Sequence, residues 1–313
     1  MTSEPHPGTP SSTSNGTDSG TTSSTRSDRR RPPRLVASDL DGTLLRPDGT
    51  LAPRTAAALV RAADLGIDVV FVTARPPRWL ADLAPHVAGH GVAICANGAA
   101  VVDVATGSVL SEHGMPRALV GQVARQVREA WGAEHVHLAV ESAEGFAAEA
   151  GYRSEHPVPP GSAVADRIED VLTASTFKLL VRTTRPWGTS FSLDLADVLG
   201  DVALVSDSGA AGLGEISGPG VTKAATLARW AADRGVAADD VWALGDAPND
   251  LPMLAWAGRS FAVANAFPEV LAAATDRCAS NAEDGAADVL ELAVSLAVGR
   301  SSGTAADAST GRR

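Results

Sequence analysis

The 313-residue sequence predicts an α/β protein: a doubly wound, mostly parallel core sheet with a smaller α+β domain inserted into it. Two observations carry that prediction. Towards both ends of the chain, short apolar or β-branched runs alternate with stretches of helical spacing, the pattern of parallel strands with helices on both faces. Between them, over residues 101–214, the alternation gives way to hairpin-like and half-buried strand patterns.

Leu35-Val36-Ala37 is the first strand candidate. Residues 55–65 place Ala, Leu and Val at helical spacing and stop at Gly66, where a glycine closes a helix C-terminus. Asp68-Val69-Val70-Phe71-Val72 and Gly91-Val92-Ala93-Ile94-Cys95 are the next strands. Val101-Val102-Asp103 and Ser108-Val109-Leu110 flank Ala105-Thr106-Gly107 as a hairpin and open the insert. Within the insert, residues 119–131 read as a helix, and 136–140 and 177–182 as half-buried strands. The core pattern resumes with a helix at 222–234 closed by Gly235. Val241-Trp242-Ala243-Leu244, a helical stretch at 251–256 and Phe261-Ala262-Val263 follow. The expected division is a core of 34–100 and 215–299, an insert of 101–214, and disordered tails of 1–33 and 300–313. Residues 1–33 hold mainly Ser, Thr, Gly and Pro, with too few large apolar side chains to offset the entropy of ordering, and 300–313 reads as a second loose end.

A formal net charge of −11 argues against general affinity for nucleic acid or anionic membrane. Arg29, Arg30 and Arg31 read as part of a solvated linker. No apolar run reaches the roughly 18–20 residues of a membrane span, and residues 1–10 lack the basic and apolar regions of a secretory signal. The expected location is the cytoplasm, which also suits a chain whose two cysteines, Cys95 and Cys278, are too few for a disulfide framework. The sequence is silent on oligomeric state.

In an open parallel sheet, ligands bind beyond the carboxyl ends of the strands. Five candidate strands here run into polar residues: Ser38-Asp39-Leu40-Asp41-Gly42-Thr43, Thr73-Ala74-Arg75, Asn97-Gly98, Gly245-Asp246-Ala247-Pro248-Asn249-Asp250, and Asn265. Asp39 and Asp41 are two apart, so an extended backbone points them the same way. Carboxylates at this density suit a hard divalent cation such as Mg²⁺, held with substrate phosphate and water. Paired carboxylates with no cation would repel each other. For Asp250 a second reading is equally open, as a cap on the helix that starts at Leu251. Arg75 reads either as a substrate contact or as a structural ion pair.

The segment Asp39-Leu40-Asp41-Gly42-Thr43-Leu44 resembles motif I of the haloacid dehalogenase-like phosphatases. Thr73 sits at a motif II position, Lys223 in Gly220-Val221-Thr222-Lys223 resembles motif III, and Gly245 to Leu254 is similar to motif IV of the Cof-type subfamily with its C2-type cap. Three further stretches are similar to that subfamily: Ile94 to Ala99, Ala264-Asn265-Ala266 and Ser280 to Gly285. The resemblance covers residues 34–100 and 214–295 and implies a Rossmann-like core with the insert as cap. It implies a phosphoric monoester hydrolase acting on a small phosphorylated metabolite. Asp39 would be the nucleophile, forming an aspartyl-phosphate, and Asp41 the acid and base. Asp39, the backbone carbonyl of Asp41, and Asp246 would hold Mg²⁺, with Asp250 in support. Thr73 and the amides of Leu40 and Ala74 would cradle the phosphate, Lys223 would pair with its charge, and Asn97 and Asn249 would bind substrate. The crowd of carboxylates would favour a proton on Asp41.

Two departures stand out. Motif II reads Thr-Ala-Arg where Thr-Gly-Arg is commoner, so a positive φ at Ala74 would be strained. Ala247-Pro248 replaces a frequent glycine in motif IV and stiffens that loop. Two other functions use the same apparatus, a phosphomutase or phosphotransferase and a non-catalytic phosphate-binding relative. The glycine pattern Gly209 to Gly214 and the pair His135 and His137 are weak signals for a nucleotide loop and a metal site. Tyr152, Trp131 and Trp187 are candidates either for a substrate pocket or for core packing.

Overall fold

The computed structural model describes residues 31–81, 83, 91–153, 156–186, 190–206 and 212–310, the last ten as backbone. Residues 1–30, which include Arg29 and Arg30, lie outside the described residues, as do Trp187, part of the Gly209 to Gly214 pattern and residues 311–313.

The chain enters through β1 (Leu35–Ser38), α1 (Pro53–Asp64), β2 (Asp68–Val72), β3 (Val92–Cys95), β4 (Ala100–Asp103) and β5 (Val109–Glu112). It then leaves for the insert: β6 (Met115–Pro116), α2 (Arg117–Trp131), β7 (Val136–Ser142), β8 (Gly145–Glu149), β9 (Ala163–Ala165), β10 (Ser175–Thr176), β11 (Lys178–Thr183), α3 (Phe191–Leu199), β12 (Leu204–Ser206) and β13 (Gly214–Ser217). It returns through α4 (Lys223–Ala232), β14 (Val241–Gly245), α5 (Leu251–Trp256), β15 (Arg259–Val263), α6 (Pro268–Ala273), β16 (Asp276–Cys278) and α7 (Gly285–Thr310).

Among the described residues the core sheet has the order β16-β15-β14-β1-β2-β3-β4-β5. Pairing is parallel from β16 to β3 and antiparallel for β4 and β5. The central strands are buried on both faces, and alternate residues feed two separate cores. Val36, Trp242 and Leu244 meet Ala58, Leu59, Val289 and Leu290 of α1 and α7. Leu35, Ala37, Val241 and Ala243 meet Leu227, Ala231, Met253 and Leu254 of α4 and α5. This is the period-2 division expected of a doubly wound sheet. Strand order reverses between β1 and β14, which makes their carboxyl ends the switch point where such folds open a crevice.

The structure moves the expected boundaries at three places. The hairpin of β4 and β5 extends the core sheet beside β3 and does not belong to the insert. A local hairpin signal fixes its own pairing but not the sheet edge it joins. At the return, β13 pairs antiparallel with β11 and β12 of the insert, so residues 215–217 belong to the insert sheet. At the C-terminus, α7 continues through Thr310, so residues 300–310 are helical. Ala305, Ala306 and Ala308 favour helix, and the segment extends a helix that is already nucleated.

The insert sheet has the order β12-β13-β11-β7-β8-β9. Its helices α2 and α3 cover one face, where Val123, Val127, Leu138, Val140, Leu179, Val181 and Ile216 are buried together. Alternation turns Ala139 and Glu141 of β7, Lys178, Leu180 and Arg182 of β11, and Glu215 of β13 to the opposite face. Among the described residues no helix is long and apolar enough to cross a membrane.

Candidate active site

The site lies at the switch point. After β1, Asp39 (φ −62°, ψ 160°) and Asp41 (φ −77°, ψ 123°) each have extended backbone, but the turn that starts at Leu40 breaks the strand between them, and the chain reverses at Gly42 (φ 82°). A Cβ on Gly42 would sit 2.3 Å from Oδ2 of Asp246, so the tight turn and the approach of motif IV both require glycine there. Three side chains fix the loop from its far side. The Thr43 hydroxyl donates to Asp246 Oδ1 at 2.7 Å, Asn265 Nδ2 donates to the Gly42 carbonyl at 2.8 Å, and Asn281 Nδ2 donates to the Leu45 carbonyl at 2.8 Å.

Lys223, at the start of α4, is buried between two carboxylates. Its Nζ donates to Asp39 Oδ1 at 2.6 Å and to Asp250 Oδ1 at 2.7 Å. Burial works against the ammonium, but Asp250 and Asp39 outweigh it and hold its pKa above the ordinary lysine value. Asp250 is wholly buried, and its second oxygen accepts from the backbone amides of Asp246 and Ala247, each at 3.1 Å. It makes no side-chain bond to an amide of α5, so the reading as a cap on that helix does not hold; it ties back the loop before it, while its other oxygen orients Lys223. The Cβ of an alanine at Gly245 would lie 2.6 Å from that of Asp250, so glycine admits this inward fold of the loop.

Oxygens of Asp39, Asp246 and Asp250 lie within 4.8 Å of one another. Burial raises the Asp39 carboxyl well above the usual range against the pull of Lys223, with Asp250 and Asp246 adding to the rise. Burial also pushes Asp246 up to about 6, and its carboxyl shares a hydrogen bond with that of Asp39. Carboxyls this close must share a proton or a cation. The donor set is all oxygen, which fits a hard divalent ion. Asp250, with both oxygens engaged, fits the role of support for that ion.

Asp41 stands apart from this cluster, contrary to its expected place among carboxylates. Its carboxylate is held in a two-pronged pair by Arg75, Nε to Oδ2 at 2.7 Å and Nη2 to Oδ1 at 2.5 Å. The neighbour the fold supplies is a guanidinium, so the ion-pair reading of Arg75 is the one observed. Only the side chain is displaced; the backbone carbonyl of Asp41 stays within the motif I loop.

The motif II loop bears on the same space. Thr73 is buried, and its Oγ1 accepts from the Arg75 amide at 3.0 Å, leaving the hydroxyl proton to donate. Ala74 is absent from the described non-glycine residues with positive φ, which are Ala96, Asn97 and Asp284. The expected strain at Ala74 does not occur; it lies next to Asn97 instead. The Ala96 amide donates to the Arg75 carbonyl and the Asn97 amide to the Thr73 carbonyl, so this strained turn braces motif II.

A polar chain then leads out of the core. Asn249 Nδ2 donates to Asn97 Oδ1, and Asn97 Nδ2 donates to Glu215 Oε2, each at 3.2 Å. Lys178 Nζ donates to Glu215 Oε1 at 2.7 Å and to the Ala74 carbonyl at 2.6 Å. A second link joins Arg78, just past motif II, to Glu141 through two hydrogen bonds of 3.0 and 2.6 Å. Sequence reasoning missed Lys178, Glu215, Arg78 and Glu141. The available signal was charge at alternate positions of otherwise buried strands, as in Lys178-Leu-Leu-Val-Arg182.

Between core and insert lies a cavity of about 580 Å³, reaching from Asp39, Thr73, Lys223 and Asn249 to the open face of the insert sheet. The amide oxygen of Asn249 is buried there with no hydrogen-bond partner. Leu40 is fully buried beneath Asp39. Of the remaining candidates, Tyr152 lines the cavity, whereas Trp131 packs on Phe191 inside the insert. His135 bonds Thr184, and neither it nor His137 joins a metal-binding group among the described residues. Cys95 is a buried free thiol whose pKa burial raises.

Comparison with known proteins agrees with this geometry. Residues 36–290 match the family model of haloacid dehalogenase-like hydrolases. A pyridoxal phosphate phosphatase of Escherichia coli is 28% identical over 272 residues, 82% of this chain and 97% of the relative. A 5-amino-6-(5-phospho-D-ribitylamino)uracil phosphatase of the same organism is 28% identical, covering 82% of this chain and 95% of its own length. Among solved structures, a phosphatase of the haloalkanoate superfamily from Bacteroides thetaiotaomicron superposes with a TM-score of 0.69 at 22% identity. That match covers 88% of this chain and all of the other, a likeness of fold.

Proposed function

As the chain belongs to the haloacid dehalogenase-like hydrolases, we propose that it is a Mg²⁺-dependent phosphatase that hydrolyses a small phosphorylated metabolite through an aspartyl-phosphate on Asp39. The observation that carries this reading is Lys223 clamped between Asp39 and Asp250 beside Asp246. In this reading Asp39 is the nucleophile, Lys223 the fixed cation, and Asp39 with Asp246 the ion site, on the floor of one cavity; the shared geometry supports it. The named substrates of the relatives are small phosphate esters, which suits a cavity of about 580 Å³.

In this mechanism a carboxylate oxygen of Asp39 attacks phosphorus as the ester P–O bond breaks. Thr73, the amides of Leu40 and Ala74, and the Lys223 ammonium take the charge on the phosphoryl oxygens, while Asn249 positions the group and Asn97, with both ends of its amide engaged, holds Asn249 in place. Asp39 and Asp246, with the Asp41 carbonyl, would hold Mg²⁺, and Asp250 would orient the loop behind them. Bound there, the ion would supply positive charge to offset the carboxylates and the phosphoryl oxygens. Asp41 gives a proton to the leaving oxygen, so it must first leave Arg75. The phosphate dianion is the natural replacement partner for that guanidinium. Water then attacks phosphorus, Asp41 takes its proton, the bond to Asp39 breaks and inorganic phosphate departs. The proton gained from water restores Asp41 for the next turnover.

The test is phosphate release from acetyl phosphate and a panel of phosphorylated metabolites, with and without Mg²⁺. Metal-dependent release that Asp39→Asn abolishes is the expected result. Release that survives Asp39→Asn would sink the covalent mechanism, and isomerised product without free phosphate would indicate a mutase.

A further inference from the structure

The far wall of the cavity is unlike its floor. Three of the chain's thirteen aromatic residues (six Phe, six Trp, one Tyr) line the cavity there: Trp79, Phe146 and Tyr152, the last being the only tyrosine. On the open face of the insert sheet, Phe146, Tyr152 and Leu180 pack over the small residues Ala139 and Ala148, forming one apolar plate. The Phe146 and Tyr152 rings are 6.2 Å apart and tilted by 58°. Across the cavity, Trp79 comes from the core loop after motif II and is braced edge-on by His156, with ring centroids 4.6 Å apart. Arg78 lies against the Trp79 and Phe146 rings, at 5.0 and 5.5 Å, and closes the gap beside them.

The polar groups around this plate are largely committed to one another. Arg78 is paired with Glu141, and Lys178 with Glu215. A polyol seated here would give up water hydrogen bonds and find few replacements. A flat ring would bury both faces against carbon and gain from offset contacts with the aromatic walls. At the end of the plate, Arg182 hydrogen-bonds the Tyr152 hydroxyl, and burial pushes that phenol up to about 12, so it stays protonated. The phenol O–H, with the Arg182 guanidinium beside it, presents a donor and positive charge to an acceptor on the ring edge.

We propose that the substrate's leaving group is a flat heteroaromatic alcohol, seated between the Phe146–Tyr152–Leu180 plate and Trp79, with a ring acceptor turned to Arg182. This deepens the phosphatase reading and rests on it for the placement of the phosphate.

The two are separable by experiment. Binding is measured by calorimetry on Asp39→Asn with Mg²⁺, which needs no turnover. The probes are pyridoxine 5′-phosphate, a ring ester with no aldehyde to react with lysine, and glucose 6-phosphate. The ring ester is expected to bind at least about tenfold more tightly, a gap the size of one aromatic contact. Phe146→Leu and Trp79→Leu keep apolar volume but remove the ring, and are expected to shrink that preference about fivefold or more. Arg182→Gln is expected to weaken the ring ester and to spare glucose 6-phosphate. Equal or weaker binding of the ring ester overturns the proposal, as does a preference unmoved by all three variants. Acetyl phosphate hydrolysis by the wild type, which engages no leaving-group ring, reports on the phosphatase reading alone.

Discussion

The floor and the far wall of one cavity are built on opposite rules. The floor comes from loops that follow parallel strands, where each polar residue is displayed because the strand has ended. Asp39, Thr73, Asn97 and Asp246 are all placed this way. The wall comes from the middle of antiparallel strands, where Glu141, Lys178, Leu180 and Arg182 are displayed because the sheet alternates. A strand-end site concentrates charge and fixes it by short backbone turns. A sheet-face site spreads its residues about 7 Å apart along a strand, which suits the shape of a leaving group better than the charge of a phosphate. The difference teaches where to expect each kind of damage: mutation of the floor stops chemistry, and mutation of the wall changes choice.

The sharpest way to break that contrast is at Lys223. Its ammonium neutralises two buried carboxylates, so Lys223→Met removes a charge from the phosphoryl group and leaves Asp39 and Asp250 opposed in the interior. The expected loss in kcat is about 10²–10³, the scale of a lost oxyanion donor. Stability is expected to fall by about 3–5 kcal/mol, the scale of a broken buried pair, in chemical denaturation. A variant with near-normal kcat would show that the floor is not electrostatic in the way described.

A smaller effect is expected where floor and wall meet. Lys178 is a wall residue that bonds the Ala74 carbonyl of the floor, and Glu215 bonds Asn97. Lys178→Met leaves Glu215 buried with the Asn97 amide but no cation beside it, and removes the contact to Ala74 at the same time. The expected outcome is a fall in kcat/KM of about tenfold, from misplacement of the motif II loop. The double variant Lys178→Met with Glu215→Leu is expected to recover most of the lost stability but not the activity, since an apolar pair removes the unpaired charge without restoring the contact to Ala74. Recovery of both would make the pair purely structural.

How much of this was legible in the sequence follows from the same contrast. Strand-end residues announce themselves: an apolar run followed by Asp-Leu-Asp-Gly-Thr or Gly-Asp-Ala-Pro-Asn-Asp has no need of such residues for packing. The core fold and the strand-end members of the floor could therefore be read directly, whereas Lys223, at the start of a helix, came only from the resemblance. What could not be read was pairing. Asp41 faces Arg75 and not the other carboxylates because the motif II loop, 34 residues away, brings the guanidinium alongside. The hairpin of β4 and β5 joins the core sheet because β3 offers it an edge. Lys178, Glu141 and Phe146 acquire meaning only when the insert sheet turns its uncovered face to the core, and no local spacing encodes that.

The smallest effect expected concerns pH, and it sharpens the account of the floor. Burial raises both Asp39 and Asp246, the latter to about 6. An acid whose folded pKa lies above its unfolded value of about 3.9 binds more protons when folded across that window, so its contribution to stability is lost as pH rises through about 6. Mg²⁺ binds the ionised carboxylates and must displace those protons when pH is low. The stabilisation it brings is therefore expected to grow between pH 5 and pH 7.5, read as the difference in Tm with and without Mg²⁺. For a chain of this size each kcal/mol corresponds to about 2–4 °C, so a rise of a few degrees is expected. Asp246→Asn is expected to flatten the trend, because it removes a carboxylate that burial pushes up to about 6 while leaving the Lys223 clamp in place. A difference in Tm that is constant across this range would mean that the cation is held elsewhere, and that the raised carboxyls of the floor serve only Lys223.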